Sequence, residues 1–306
     1  MIRRVLFMGS KELGLAVLRA IHQASPGSIA GILTLDDSND HRSALPRFRE
    51  FAATVNMPLR IAANRAESEQ IIQEFNPDLC VVVCWYWMLG EKLLVSIPYG
   101  FIGVHNSLLP RYRGGSPLVW QLIQGETEIG FSILTLTSGM DEGPIWASRR
   151  LAVEPEERIG QVLPRLEAAI VEELGSLYPR ILSGTVQPAP QDAREATYCM
   201  ARHPEDGELD WRDPAANVFN SIRAQSDPYP GAFSYWNGKL VRCWRATLFD
   251  RPWCGAPGQV ARIRTDGVVV IAGDHRAVVL TEIEMDGVRD AADRLITSYR
   301  HRFTRD

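Results

Sequence analysis

The sequence predicts an α/β protein with a mostly parallel sheet and a second, smaller β-barrel domain. Three observations predict it. In the first half, short apolar runs alternate with segments whose apolar residues recur at helical spacing, the pattern of βαβ units. One run, Leu79-Cys80-Val81-Val82-Val83-Cys84, is apolar throughout, as a strand covered on both faces must be. Beyond the tract Ser183-Gly184-Thr185-Val186-Gln187-Pro188-Ala189-Pro190, glycines, prolines and short β-branched runs dominate, which suits a small antiparallel barrel. Together they describe a Rossmann-like first domain (1–185), a linker (186–200) and an OB-like second domain (201–306).

The elements follow in order. Arg4 to Met8 reads as a buried strand ending at Gly9, and Glu12 to His22 as a helix with Leu13, Ala16, Val17 and Ala20 on one face. Between them, Gly9-Ser10-Lys11-Glu12-Leu13-Gly14 is neither GxGxxG nor a P-loop and reads as a tight strand-to-helix turn. Ile29 to Leu35 is a second strand, and Leu45 to Val55 and Ser68 to Phe75 are helices. After the run at 79–84, Phe101 to His105 and Phe131 to Leu136 are further strands. Glu156 to Leu182 is helical, with a kink or restart expected at Pro164, which lacks an amide donor. In the second domain, strands are expected at Ala232–Tyr235, Leu240–Trp244, Gln259–Arg264, Val268–Ala272 and Ala277–Ile283.

Composition narrows the function classes. The 306 residues carry 33 basic and 37 acidic side chains, a net charge of −4, and residues 197–306 hold 15 of each sign. Wide-surface binding of nucleic acid rests on clustered Lys and Arg, so this balance argues against it. No apolar run reaches the roughly 20 residues of a spanning helix, and the first one is too short for a secretory leader. The five cysteines show no zinc-site spacing. Cys80, Cys84, Cys243 and Cys254 have apolar or aromatic neighbours. They read as reduced thiols of a cytoplasmic protein with no metal site.

Ligands of such sheets bind beyond the carboxyl ends of the strands. His105 ends the strand Phe101-Ile102-Gly103-Val104-His105 there, whereas the other histidines fall on a helix or in polar stretches. Arg113-Gly114-Gly115 beyond it reads as a flexible basic loop with exposed amides, suited to an anion. Asp141 follows the strand 131–136 between Gly139 and Gly143, a pattern that an Asx-type turn also explains. A histidine and an aspartate from neighbouring strand ends make an acid/base pair.

These motifs carry a resemblance. His105-Asn106-Ser107-Leu108-Leu109-Pro110-Arg111-Tyr112-Arg113-Gly114, followed by Gly139-Met140-Asp141-Glu142-Gly143, resembles the 10-formyltetrahydrofolate-dependent formyltransferase family. In the second domain, Asp210-Trp211, Ile222-Arg223-Ala224 and Asp227-Pro228-Tyr229-Pro230-Gly231-Ala232-Phe233 resemble the branch holding sugar-nucleotide N-formyltransferases and methionyl-tRNA formyltransferases. The resemblance implies 10-formyltetrahydrofolate as co-substrate, direct formyl transfer to a neutral amine, and catalysis by His105 and Asp141. It also implies an asparagine two residues before the histidine, where this chain has Gly103. Asn106 is the candidate replacement, provided the strand has already turned there, since 103 and 105 face one way and 106 the other. Alternatively, Gly103 admits a water or part of the substrate. The pterin is expected against Trp87, Met88 and Leu89, then Thr137, Ser138 and Gly139, with Ser107, Leu108, Leu109 and Pro110 also on the co-substrate. Gly9, Ser10, Arg113 and Gly114 are expected at the acceptor. Cys84-Trp85-Tyr86-Trp87 reads either as core packing or as a stacking wall.

Three acceptor readings compete. The neutral second domain and the mixed charges of the Thr34–Arg49 loop favour a small amine, above all a nucleotide-linked amino sugar, over tRNA. The departure at Gly103 keeps a non-catalytic folate or sugar binder as a third reading. No membrane partner is expected, and a homodimer stays open.

Overall fold

The computed structural model describes residues 2–40 and 42–305, which leaves His41 outside it. The chain divides into two compact units. Met1–Gly114, Gly130–Arg150 and Arg165–Tyr198 form the first, and Gly115–Ile129, Leu151–Pro164 and Cys199–Asp306 the second. In chain order the first half runs β1 (Val5–Gly9), α1 (Lys11–Ala24), β2 (Ile29–Leu35), α2 (Leu45–Thr54), β3 (Leu59–Ala62), α3 (Arg65–Phe75), β4 (Leu79–Val83), α4 (Glu91–Ser96) and β5 (Phe101–His105). Then come β6 (Arg113–Gly114), α5 (Pro117–Ile123), β7 (Glu128–Thr135), β8 (Ile145–Ala152), α6 (Ile159–Leu182) and β9 (Tyr198–Cys199). The rest is α7 (Ala215–Gln225), β10 (Ala232–Trp236), β11 (Lys239–Leu248), β12 (Val260–Arg264), β13 (Gly267–Ile271), β14 (Ala277–Met285), β15 (Val288–Ala291), α8 (Ala292–Leu295) and β16 (Phe303–Thr304).

The large sheet has the order β3-β2-β1-β4-β5-β7-β8. β3, β2, β1, β4 and β5 pair parallel with one another, so the expected Rossmann-like sheet is present. Its central strands are buried on both faces: Val5 to Gly9 and Leu79 to Val83 are buried throughout. Helix α1 turns Leu13, Leu15, Val17, Leu18 and Ile21 inward, the single apolar face that 3.6 periodicity requires. The order reverses at β1, whose carboxyl end lies between those of β2 and β4, the kind of switch point where ligands of such sheets bind.

One strand direction differs from expectation. β7 pairs antiparallel with β5, with Ile102 opposite Thr135 and His105 opposite Ser132. The carboxyl end of β7 therefore lies at the amino end of β5, where Leu136 N donates to Phe101 O at 2.8 Å. An apolar run is the same in either direction, so its composition carries no sign of this. Asp141 consequently does not sit at a parallel strand end; the 136–144 loop folds back to bring it to His105.

Helix α6 runs as one element through Pro164 and Pro179 rather than restarting. Each proline removes one amide donor, and the neighbouring turns close around it. β3, β8, α4, α5 and α7 are additions to the expected pattern. Among the cysteines, Cys254 is exposed despite its apolar and aromatic neighbours, because it falls in the connection between β11 and β12.

The second unit is built on an antiparallel sheet ordered β12-β13-β14-β11-β10-β16, with β15 beside β14, a curled half-barrel. α7 packs Val218, Phe219 and Ile222 into the same core as Val241, Val268, Val270 and Leu280. The Ile222-Arg223-Ala224 motif is structural: Arg223 is buried and donates to Asn220 Oδ1, Glu157 O and Leu122 O. Trp211 is likewise buried, its Nε1 donating to Ser234 Oγ at 2.9 Å. Among the described residues, no helix is long and apolar enough to cross a membrane.

Candidate active site

The site grows from the end of β5. His105 is its last residue and is buried. Ser107 N donates to His105 O at 2.9 Å, so the chain turns at Asn106 immediately after the strand. The alternation of facing residues therefore stops at His105, and Asn106, half-buried, is released from it. The following loop is held from beneath by Ser132 of β7. Its hydroxyl donates to Ser107 O at 2.9 Å and accepts from Leu109 N at 3.0 Å. Ser107 is fully buried, and its hydroxyl donates to Arg111 O at 2.6 Å. Of the stretch Ser107 to Pro110, Leu108 and Pro110 are half-buried, while Ser107 and Leu109 are buried in the protein itself.

The imidazole is fixed on both nitrogens. Nε2 lies 2.7 Å from Tyr112 O, and a carbonyl only accepts, so Nε2 carries a hydrogen. Nδ1 faces Asp141 Oδ2 at 3.5 Å. That same carboxylate oxygen accepts from Gly114 N at 2.8 Å. With Nε2–H committed, Nδ1 and the carboxylate face each other as two acceptors unless a further proton lies on one of them. A proton on either atom would turn this contact from two facing acceptors into a donor and an acceptor. Asp141 has φ +48°, in the left-handed region that an L-residue enters at a cost.

Arg113-Gly114-Gly115 is not the flexible, exposed loop expected. Arg113 is 4% exposed, with its Nε and Nη2 on Gln191 Oε1 at 3.1 and 2.8 Å. Arg113 N donates to Thr197 O and Gly115 N to Cys199 O, so these amides are occupied by backbone. The sequence from 189 to 199, a linker by composition, supplies those partners. Pro188 and Pro190 mark an irregular stretch, but nothing local marks a long-range partner.

Gly103 does not leave an opening for water or substrate. A Cβ placed there would lie 2.7 Å from Leu136 Cδ2, because the Leu136 side chain already covers that face of β5. Gly9 is similarly enclosed: a Cβ would meet the Phe7 ring at 2.7 Å and Val83 O at 2.9 Å. Ser10 is buried with its hydroxyl on Cys84 O at 2.5 Å.

The expected pterin residues divide. Trp85 and Trp87 meet edge to face at 5.6 Å and, with Leu89, pack on the core beneath β1 and β4, which favours the packing role for these rings. Met88 is 71% exposed and Tyr86 is exposed. Trp85 Nε1 and Thr137 Oγ1 are buried polar atoms without a hydrogen-bond partner. Ser138 and Gly139 lie in the loop that leads to Asp141. Burial pushes the Cys84 thiol up to about 12, so it is no nucleophile. Among the described residues, no group of three or more histidine, cysteine or acidic side chains is arranged to hold a metal ion.

Sequence reading passed over a second cluster at the carboxyl ends of β1 and β2. Lys11, with φ +61°, places Nζ 2.7 Å from Asp37 and 2.8 Å from Asp40, and 5.2 Å from the centre of the Tyr86 ring. Its signal is the close grouping of Asp36, Asp37 and Asp40 just after the β2 strand.

Comparison with known proteins agrees with this architecture. Residues 3–178 match the formyl transferase family, and residues 202–296 match the formyl transferase C-terminal domain. The methionyl-tRNA formyltransferase of Myxococcus xanthus is 32% identical over 94% of this chain and 91% of its own. Among solved structures, the N-formyltransferase from Helicobacter canadensis, in complex with folinic acid and dTDP-3-aminofucose, superposes with a TM-score of 0.68. It is 14% identical and covers 92% of this chain and 99% of its own. HypX from Aquifex aeolicus, in complex with tetrahydrofolic acid, has a TM-score of 0.62 at 19% identity; 97% of this chain is covered, but only 47% of HypX. At these identities the two structures speak for the fold alone.

Proposed function

Because this chain belongs to the formyltransferase family, we propose that it carries the formyl group of 10-formyltetrahydrofolate to the amino group of methionyl-tRNA. The observation that carries the chemistry is the His105–Asp141 pair, with one ring nitrogen tied to Tyr112 O and one facing the carboxylate. An attacking amine must lose a proton, and the departing folate nitrogen must gain one. A pair holding one exchangeable proton in a buried setting accepts the first and returns the second. Gly114 N, on Asp141 Oδ2, keeps the carboxylate turned toward the ring. The orphaned Trp85 Nε1 and Thr137 Oγ1 fit a co-substrate rich in ring nitrogens and amides, since buried polar atoms ordinarily find a partner. Asn106, in the turn beside His105, is the candidate donor to charge developing on the formyl oxygen.

The acceptor is supported by relatives of this name whose alignment spans more than nine-tenths of both chains. A second reading, a nucleotide-linked amino sugar, is supported by charge. Residues 197–306 are neutral, and two of the three arginines of the 34–49 loop are paired, Arg42 on Asp40 and Arg47 on Glu12. Backbone phosphates favour free cations. Tetrahydrofolate release, measured with initiator methionyl-tRNA and with a panel of nucleotide-linked amino sugars, separates them. Rapid release with methionyl-tRNA alone supports the first reading. Release with a sugar alone replaces it, and no release with either leaves a folate binder.

A further inference from the structure

Gln191 is bound on every side. Its Nε2 donates to Asp141 O and to Gly143 O, both at 2.8 Å. Its Oε1 accepts both guanidinium contacts from the buried Arg113. Two donors and two lone pairs are all that a carboxamide has, and all are used. The backbone around it is anchored as well. Ala189 and Ile145 exchange two hydrogen bonds of 2.7 and 2.8 Å, and Thr197 Oγ1 accepts from Tyr112 N at 2.8 Å.

One side chain therefore joins the two halves of the proton-holding pair. On one side is the loop that carries Asp141. On the other is the stretch whose Tyr112 carbonyl holds the imidazole and whose Gly114 amide holds the carboxylate. Asp141 occupies a left-handed backbone conformation, and such conformations persist where surrounding bonds fix them. The two bonds from Gln191 fall on the carbonyls of Asp141 itself and of Gly143, two residues on. The anchor is also neutral. A carboxylate in its place would pair with Arg113 but would add a second negative charge beside Asp141 and face two carbonyls with nothing to donate.

We propose that Gln191 is a positioning residue that holds Asp141 in reach of His105, so that the chain segment after α6 is part of the active site. The proposal rests on the reading that His105 and Asp141 move the proton of formyl transfer.

The test compares the wild-type chain with Gln191→Ala, Gln191→Glu, Asp141→Asn, Asp141→Ala and the Asp141→Asn/Gln191→Ala double variant. Turnover is read as tetrahydrofolate release with methionyl-tRNA, or with the amino sugar if that is the active acceptor. Both Gln191 variants should lower kcat by about 10²-fold, the cost of a misplaced catalytic group. KM for 10-formyltetrahydrofolate should stay within about twofold, and the double variant should be little slower than Asp141→Asn. A second readout needs no acceptor: amide exchange at Gly114, whose N–H is held by the Asp141 carboxylate. It should quicken by about tenfold in Gln191→Ala and in Asp141→Ala, with Val81 in β4 unchanged. Should Gln191→Ala not fold, Gln191→Glu, which keeps the Arg113 contact, carries both readouts. A fully active Asp141→Asn overturns the underlying reading. An inactive Asp141→Asn beside Gln191 variants with wild-type kcat overturns the positioning role alone, as does unchanged exchange at Gly114 or a double variant with fully multiplied losses.

Discussion

Two charged clusters belong to the same sheet, and they are built differently. Lys11 meets two carboxylates at 2.7 and 2.8 Å, and Asp40 is held in turn by the Arg42 guanidinium at 3.0 Å and the Arg42 amide at 2.9 Å. Every charge there has close partners. His105 and Asp141 stand 3.5 Å apart, with one ring nitrogen committed to a carbonyl and the other facing the carboxylate. Close pairing locks a charge state, which suits architecture. A looser pair of two acceptors and one proton leaves that proton exchangeable, which suits chemistry. The difference leads to the expectation that the more completely satisfied cluster is the less reactive one.

The sharpest way to break this comparison is to remove the loose pair. His105→Ala and Asp141→Asn should each lower turnover by about 10²–10⁴-fold, the usual worth of a positioned acid or base, with folding intact. The double variant should be little worse than either single. Steady-state kinetics beside a thermal melt checks both. Retention of most of the wild-type rate by His105→Ala would make the pair architectural too and erase the contrast.

Removing the tight pair should do the opposite. Lys11→Met leaves Asp37, whose side chain is 6% exposed, without its cation. An uncompensated buried carboxylate costs several kcal/mol, but Asp37 keeps its hydrogen bond from Ser43 and Lys11 is partly wetted, so about 2 kcal/mol is expected. The urea midpoint reads this loss. Lys11→Met/Asp37→Asn should recover part of it, since both charges are then gone. Turnover of the folded fraction should change by less than about tenfold. A larger loss of rate than of stability would move Lys11 into the reacting site.

The two clusters were unequally legible in the sequence. His105 stood out because a strand of the expected length ends on it, and Asp141 because glycines bracket it. β2 and β5 have the boundaries their apolar runs predict. The direction of β7 was hidden, since alternation and apolarity are symmetric under reversal. Gln191 was hidden because its three partner residues lie 48 to 78 residues away, and a proline-rich tract reads as a spacer whatever it touches. Gly103 was visible as a departure, but what replaces the missing side chain, Leu136, comes from another strand's end. Local patterns report local conformation; partners that meet only after the sheet has formed leave no local trace.

The smallest expected effect concerns pH, and it sharpens the comparison without removing any atom of the loose pair. Burial alone would pull the Lys11 ammonium down, but hydrogen bonds to Asp37, Asp40 and Tyr86 hold it above the ordinary lysine value of 10.5. The Arg42 guanidinium, then Lys11 and the Arg42 amide, hold the Asp40 carboxyl well below its ordinary 3.8. The signs follow from linkage. A cation held above its unfolded value contributes stability fully present below 10.5 and lost as pH rises through the folded value. A carboxylate held below its unfolded value contributes stability present above 3.8 and lost as pH falls through the folded value. Neither loss falls between about pH 5 and pH 9, where ordinary histidines titrate but ordinary aspartates and lysines do not. The stability difference between wild type and Lys11→Met should therefore be flat across that window, to within about 0.5 kcal/mol, and shrink only at its acidic and alkaline outer sides. Under the proposed function, turnover moves a proton through His105 and Asp141, and its pH profile should not follow that flat curve. Urea midpoints and initial rates taken on the same buffers give both curves. A stability difference that follows the rate profile would show that the Lys11 cluster also exchanges a proton in the working range, and the distinction between locked and exchangeable pairs would fail at its tighter member.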